Sequence, residues 1–339
     1  MYDLYSLCPM SIGQTQPVEV AAGTGFALLV GLSAASRGPR GDLEPALADA
    51  LDAVGDGEGE TWLNLLGVAL DAGPRYGSQQ LLDALGTIEG VELRRHMLGR
   101  FAWSWCTLAG IDDIESAAAG DRSASRRLLE HPRYYGGHAA ASLATLLPLD
   151  AQETQARLVQ AVEAAQSLAG NSKAQLVAAA ASADAALFEL APLTAIERLT
   201  NGYRYVPEIE AERVVLIPHF EPALPLVLAQ HRSARLIAYL AEPDRGAEEQ
   251  LTVLGKALSD PKRVEILELV GRGVGHAGDL VDASGLTRST VHHHLSLLRA
   301  AGLVALEGNA RAYTYVPRRD SPTEVAELVA ALIGPKEDQ

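Results

Sequence analysis

Residues 285–304, GLTRSTVHHHLSLLRAAGLV, constrain this 339-residue chain more than any other stretch. Gly285 supplies a turn and Thr287 is placed as a hydroxyl N-cap. The helix that follows sets Val291, Leu295 and Leu298 on one side at i, i+4, i+7 spacing. That stripe buries one face and turns Arg288, Ser289, His292, His293, Ser296 and Arg299 outward. The outward set is cationic, hydroxylated and hydrogen-bonding, which suits a helix lying against phosphates and base edges. Gly302 ends the helix and a short apolar strand follows. The order spells a helix-turn-helix with a wing.

The flanks extend the pattern. Upstream, 250–259 (QLTVLGKALS) sets Leu251, Leu254 and Leu258 on one helical face. Asp260-Pro261 breaks the chain, and Pro261 suits the first turn of a helix whose core side carries Ile266, Leu267 and Val270. The segment 276–283 is the expected first helix of the reading motif, with 284–286 as its turn. Downstream, 303–306 and 312–316 are two short β runs joined by 307–311 (EGNAR), where Gly and Asn tolerate positive φ. Arg311, Arg318 and Arg319 cluster at that wing, and a closing helix is predicted over 323–333.

These residues resemble the ArsR/SmtB family of winged-helix transcriptional regulators. The resemblance rests on LSDPKRVEIL at 258–267, TRSTVHHHLSLLRAAGLV at 287–304 and RAYTYV at 311–316, roughly a quarter of the chain. It implies that Thr287, Arg288, Ser289, Thr290, His292 and His293 line the major groove of double-stranded DNA. It also implies that Arg311 reaches the backbone or the minor groove, and that the chain forms a homodimer through the first and last helices of the winged helix. Arg299 joins the candidate contacts, the alternative being a solvated surface cation. Arg318 and Arg319 are either phosphate contacts or a solvated segment after the wing. His294, beside Leu295, is expected to pack rather than read DNA.

Metal-sensing members of that family carry a Cys pair before the recognition helix or Asp/His pairs on the last helix. Here 276–282 reads HAGDLVD and 322–334 reads PTEVAELVAALIG, with neither arrangement. The two cysteines, Cys8 and Cys106, lie outside the segment, so a local thiolate pair is excluded. The run His292-His293-His294 is no substitute, because consecutive helical side chains diverge by about 100° and cannot converge on one ion. A non-metal-sensing member is therefore expected, with no metal site and no cofactor.

Charge sharpens the reading. The chain carries a net −15, yet 285–319 holds five arginines against one acid, Glu307. A basic patch on an acidic body favours a confined, oriented and salt-sensitive contact with DNA over loose coating.

The remaining sequence divides, on its periodicity, into a mostly helical N-terminal domain (1–200), a small α/β element and linker (201–245) and the winged helix (246–339). The expected fold class is mainly α. Helices are predicted near 17–36, 42–54, 60–72, 91–109, 122–131, 137–147, 151–169 and 172–190, punctuated by Gly-Pro, Asp-Gly, His-Pro and Leu-Pro breaks. Three strands are predicted at 203–206, 213–217 and 236–240, with a helix around 222–230 and a linker over 241–246. Aromatics make up 5% of the chain, so Phe101, Trp103, Trp105, Tyr134-Tyr135 and Tyr203/Tyr205 are expected as core anchors, with a ligand wall as the alternative.

The start, MYDLYSLCPM, lacks a basic n-region, and the longest uncharged run (20–36) is short and weakly apolar. A cytoplasmic protein with no membrane span is expected. No P-loop, HExxH, GxSxG or CxxC occurs, and His96, His131, His138, His219 and His231 stand singly, so no enzymatic role is predicted. The expected function is a dimeric repressor reading a palindromic operator through 287–299, with an N-terminal domain that senses a small-molecule effector or extends the dimer. The alternative is a protein-interaction module that docks a partner on the winged helix and the acidic body.

Overall fold

The computed structural model describes residues 16–75, 77–169, 173–241, 246–309, 312–318, 323, 325–327, 329 and 330. The N-terminal segment 1–15 with Cys8, the core of the expected linker (242–245) and most of the expected closing helix lie outside the described residues. The chain is mainly helical.

After β1 (Val18–Val20), the N-terminal body runs through α1 (Thr24–Arg37), α2 (Pro45–Val54), α3 (Glu60–Asn64), α4 (Leu66–Ala72), α5 (Ser78–Thr87) and α6 (Gly90–Met97). It continues through α7 (Trp103–Ala109), α8 (Ile111–Ala118), α9 (Arg122–Glu130), α10 (Ala139–Leu143), α11 (Ala151–Ala164), α12 (Lys173–Glu189) and α13 (Pro192–Leu199). Then come β2 (Tyr203–Tyr205), β3 (Arg213–His219), β4 (Leu226–His231) and β5 (Ala234–Leu240). The C-terminal part comprises α14 (Ala247–Leu258), α15 (Pro261–Gly271), α16 (Ala277–Ser284), α17 (Arg288–Ala300), β6 (Val304–Gly308) and β7 (Tyr313–Pro317).

Two sheets organise these elements. The first has strand order β1-β3-β5-β4, with β1, β3 and β5 mutually parallel and β4 antiparallel to β5. Strands β3 and β5 are buried on nearly every residue, as interior parallel strands covered on both faces must be. Alternation divides their side chains between two cores. Val215, Ile217, Leu236 and Ala238 face the large helical core with Phe26, Leu29 and Trp62, whereas Val214, Leu216, Ile237 and Tyr239 face Ile196, Tyr203 and Tyr205. A third core, with Ile266, Leu280, Val291, Leu295 and Leu298, belongs to the winged helix.

The second sheet has the order β2-β6-β7. The β element expected near 203–240 is thus shared between sheets: β2 joins the wing, and β3 to β5 join β1. Two further expectations are corrected. The helix expected around 222–230 is strand β4, and the start of the helix expected at 17–36 is strand β1. In the first case the chain turns back over Arg232 and Ser233, with Arg232 at φ 53, which is costly for a residue with a Cβ. Tertiary contacts hold it there: its N–H donates to Phe101 O at 2.7 Å, its guanidinium reaches Asp71 at 3.1 Å and it lies 5.0 Å from the Phe101 ring. In the second case Val18 and Val20 gain a backbone partner in β3. Helices α5, α8 and α13 are additional to those expected.

The aromatics are chiefly core anchors. Tyr134 and Tyr135 are fully buried, and Trp105 packs 5.7 Å from each ring. Trp103, by contrast, is 40% exposed. Arg94, also buried, is held by the carbonyls of Leu149, Ala117 and Leu147 at 2.6, 3.0 and 3.2 Å. Between the cores, buried Arg235 on β5 pairs with buried Glu208, with Nε donating at 2.9 Å, and so fixes the loop that follows β2. No described helix is long and apolar enough to cross a membrane.

Two buried imidazoles set an acid limit on this fold. His96 stacks on His231 at 5.3 Å, and burial, then the neighbouring His231, holds its pKa down to about 4. Burial alone holds His219 down to about 4 as well. The unfolded chain takes up both protons below about 6.5 and the native state refuses them until about 4, so stability is complete above 6.5 and is lost as pH falls through that window. Urea unfolding at pH 5 should show a loss of about 2 kcal/mol per histidine relative to pH 7. A flat profile across that interval would contradict the burial argument.

Candidate nucleic-acid interface

The winged helix is built around a turn between two helices. Asp260 caps α15, its side chain accepting from Lys262 N at 2.8 Å and Arg263 N at 3.3 Å, and Pro261 fills the first turn, where no N–H is needed. Arg263 folds back into the protein, donating to Ala257 O at 2.7 Å and Lys256 O at 2.9 Å, and so closes the end of α14. The DPKR run therefore ends one helix and begins the next. Sequence reasoning marked Asp260-Pro261 but not the role of Arg263.

Gly285 at φ 68 ends α16 in the left-handed conformation, and Thr287 then caps α17. Thr287 Oγ1 accepts from Thr290 N at 3.3 Å and lies 3.1 Å from Ser289 Oγ and 2.8 Å from Thr290 Oγ1. The first turn of α17 thus presents a linked set of hydroxyls. Val291, His294, Leu295 and Leu298 point into the core. His294 packs as expected, near Asp260 and Arg263, with burial pushing its pKa down.

The opposite face is the candidate interface. Thr287, Arg288, Ser289, His293 and Ser296 are exposed, and Thr290 and His292 are half-buried. Burial, then the Arg288 charge, lowers the His292 pKa below the usual histidine range, so near pH 7 it offers a neutral donor and acceptor. Six of the eight candidate contacts therefore share the first two turns of one helix. Arg299 does not join them: it sits at the far end of α17, half-buried, and its Nη1 donates to Thr200 O of the N-terminal body at 3.2 Å. Arg311 and Arg319 lie outside the described residues. Arg318 is described, and its guanidinium lies against Gly302.

The wing is a β6–β7 hairpin, with Asn309 N donating to Ala312 O at 3.0 Å. Gly308, at φ 146, admits no side chain, because a Cβ there would overlap the Ala312 carbonyl. On the other side of the wing, Tyr315 N donates to Gly275 O at 2.9 Å, joining β7 to the chain just before α16.

Comparison with known proteins agrees with this geometry. Residues 260–305 match the family model described as bacterial regulatory protein, arsR family. The chain is 46% identical over 68 residues to the HTH-type transcriptional regulator CmtR of Mycobacterium tuberculosis, covering 20% of this chain and 58% of that protein. It is 36% identical over 50 residues to the transcriptional repressor SdpR of Bacillus subtilis, covering 15% of this chain and 56% of that protein. The chain therefore spans little more than half the length of these relatives, and the N-terminal body lies outside the matched region. No solved structure matches the chain. Residues 260–305 form an ArsR-family helix-turn-helix domain.

The cap makes a measurable contribution. Thr287→Ala should cost the folded winged helix about 1 kcal/mol through loss of the bond to Thr290 N, seen as a lower thermal midpoint. Thr287→Asp should restore most of that loss, because aspartate caps a helix as well as threonine does.

Proposed function

We propose that this chain, whose residues 260–305 form an ArsR-family domain, is a DNA-binding transcriptional regulator, and specifically a dimeric repressor reading a two-fold symmetric operator. The observation that carries the reading is the arrangement of α17: a packed face of Val291, His294, Leu295 and Leu298 behind an exposed first turn of Thr287, Arg288 and Ser289. Arg288 is the bidentate donor placed to meet a guanine edge or a phosphate. Thr290, His292 and His293 extend the reading surface along the groove, and Arg311 is assigned to the DNA backbone on the family resemblance alone. Arg299, bonded to Thr200 O at the far end of α17, stands apart from that surface.

Exposed apolar groups on the terminal helices support a homodimer. Leu258 at the end of α14 is 42% exposed and Val329 near the C-terminus is 41% exposed, on the two elements that the family resemblance pairs across the two-fold axis. The printed description of SdpR as a repressor supports repression. The N-terminal body serves to sense an effector or extend the dimer. It carries a cavity of about 340 Å³ between α1, α5 and α12, within the size range of small-molecule sites. The reading assigns the chain no catalysis, and it places the regulator in the cytoplasm with its DNA.

Gel retardation on the DNA upstream of its own gene tests the proposal. Wild type should retard the fragment, with log affinity falling steeply with log salt, and Arg288→Ala should weaken binding by about 1–3 kcal/mol. Thr287→Asp supplies a separate arm: the cap survives, but a carboxylate facing the phosphates should abolish retardation. Retardation by neither wild type nor variants, or binding indifferent to Arg288 and to salt, would instead favour a protein-docking role for the domain.

A further inference from the structure

The first turn of α17 is exposed, and the other end of the helix is tied to the N-terminal body. The tie begins in the backbone. Strand β2 runs parallel to β6 with Tyr203 opposite Leu306, Arg204 opposite Glu307 and Tyr205 opposite Gly308. Leu306 N donates to Gly202 O at 2.8 Å and Val206 N donates to Gly308 O at 2.9 Å. Side chains reinforce the pairing. Tyr203 Oη donates to Gly308 O at 3.0 Å, and Arg204, held by Glu197 at 2.7 Å, lies 3.9 Å from Glu307 of the wing. Arg299 Nη1 adds its bond to Thr200 O, so one short body segment, 200–206, holds both the wing and the end of the reading helix.

Packing closes the same seam. Gly202 lies in this seam at φ 90, a left-handed conformation that any side chain would strain, with Val304 O and Arg318 Cδ in ordinary contact range of where a Cβ would sit. Leu306 of the wing belongs to the body core with Ile196 and Tyr203, and Tyr315 touches both that core and the core of the winged helix. The seam therefore has backbone bonds, charge pairing and a continuous apolar interior. Arg299 is eleven residues from Arg288, about 16 Å along the helix axis. The body grips α17 well away from the turn that reads DNA.

We propose that segment 200–206 is a strap that sets the pitch of the reading helix and wing from the N-terminal body, with Arg299 as a positioning residue in it and not a phosphate contact. The proposal rests on the DNA-binding reading and deepens it, because it names the route by which the body controls the DNA site. A change of the body that shifts α13 or β2 moves Thr200 and Gly202, and with them the two elements that must meet the groove together. Phosphate contacts position a protein on DNA only when helix and wing hold a fixed relation.

Three variants of the full chain test this, with fluorescence anisotropy on the upstream DNA across a salt series and amide exchange of β6 as readouts. Arg299→Met and Gly202→Val should each speed exchange at 304–308 and weaken DNA binding about tenfold, with the salt slope unchanged because no phosphate contact is lost. Arg288→Ala should leave exchange unchanged and lower the slope by about 1. If Arg299→Met lowers the slope by about 1 while β6 exchange stays at the wild-type rate, Arg299 is a phosphate ligand and the proposal is overturned. Faster exchange with affinity within twofold of wild type also overturns it, since the seam would then be structural only. Should Gly202→Val fail to fold, Arg299→Met, at a half-buried side chain, decides alone. Absence of salt-dependent binding by the wild type is a different result: it removes the DNA reading itself, and the strap's control of it falls too.

Discussion

Everything in this fold hangs on the backbone pairing of β3 with β5. Seven consecutive residue pairs, from Arg213↔Ala234 to His219↔Leu240, join the strands in parallel. Two parallel strands at the centre of a sheet must be covered on both faces, because neither face is polar enough to meet water. That requirement recruits the helices of the N-terminal body to one side, and α13 with the β2 tyrosines to the other. Since β2 is then fixed against the sheet, the strand that pairs with it, β6, is fixed too. The placement of the winged helix is thus a remote result of how β3 and β5 bury their alternate side chains.

Much of the winged helix was legible because its signals are local. Thr287 caps, Gly285 and Gly302 end helices, Asp260-Pro261 starts one, and the spacing of Val291, Leu295 and Leu298 names the buried face. Each is decided within a few residues. The body was legible in class and less so in detail. β4 reads LVLAQH and its turn is Arg-Ser, with neither Gly nor Asn, so nothing nearby announces a hairpin. Asp71 and Phe101 impose it on Arg232 from 161 and 131 residues away, with His231 just before it in the chain. β1 is likewise three residues whose strand character comes from β3.

The candidate interface shows the same division. The face on which Arg288, His292 and His293 lie follows from helical periodicity alone. Where Arg299 goes does not, because its acceptor is a main-chain carbonyl 99 residues earlier, and no side-chain pattern encodes a carbonyl. Periodicity places Arg299 on the outward surface of an isolated helix. It cannot tell which part of that surface another segment covers.

The two edges of the wing sheet also bear on solubility. A two-stranded hairpin leaves two rows of unpaired N–H and C=O groups, each a template for a strand from another molecule. Here β2 occupies the outer edge of β6, and Gly275 takes a backbone bond at the outer edge of β7. Gly275 can lie so close only because it has no Cβ, which would overlap Thr314 Oγ1 and the Tyr315 carbonyl. The hairpin is thereby shielded from edge-to-edge stacking by the chain's own backbone.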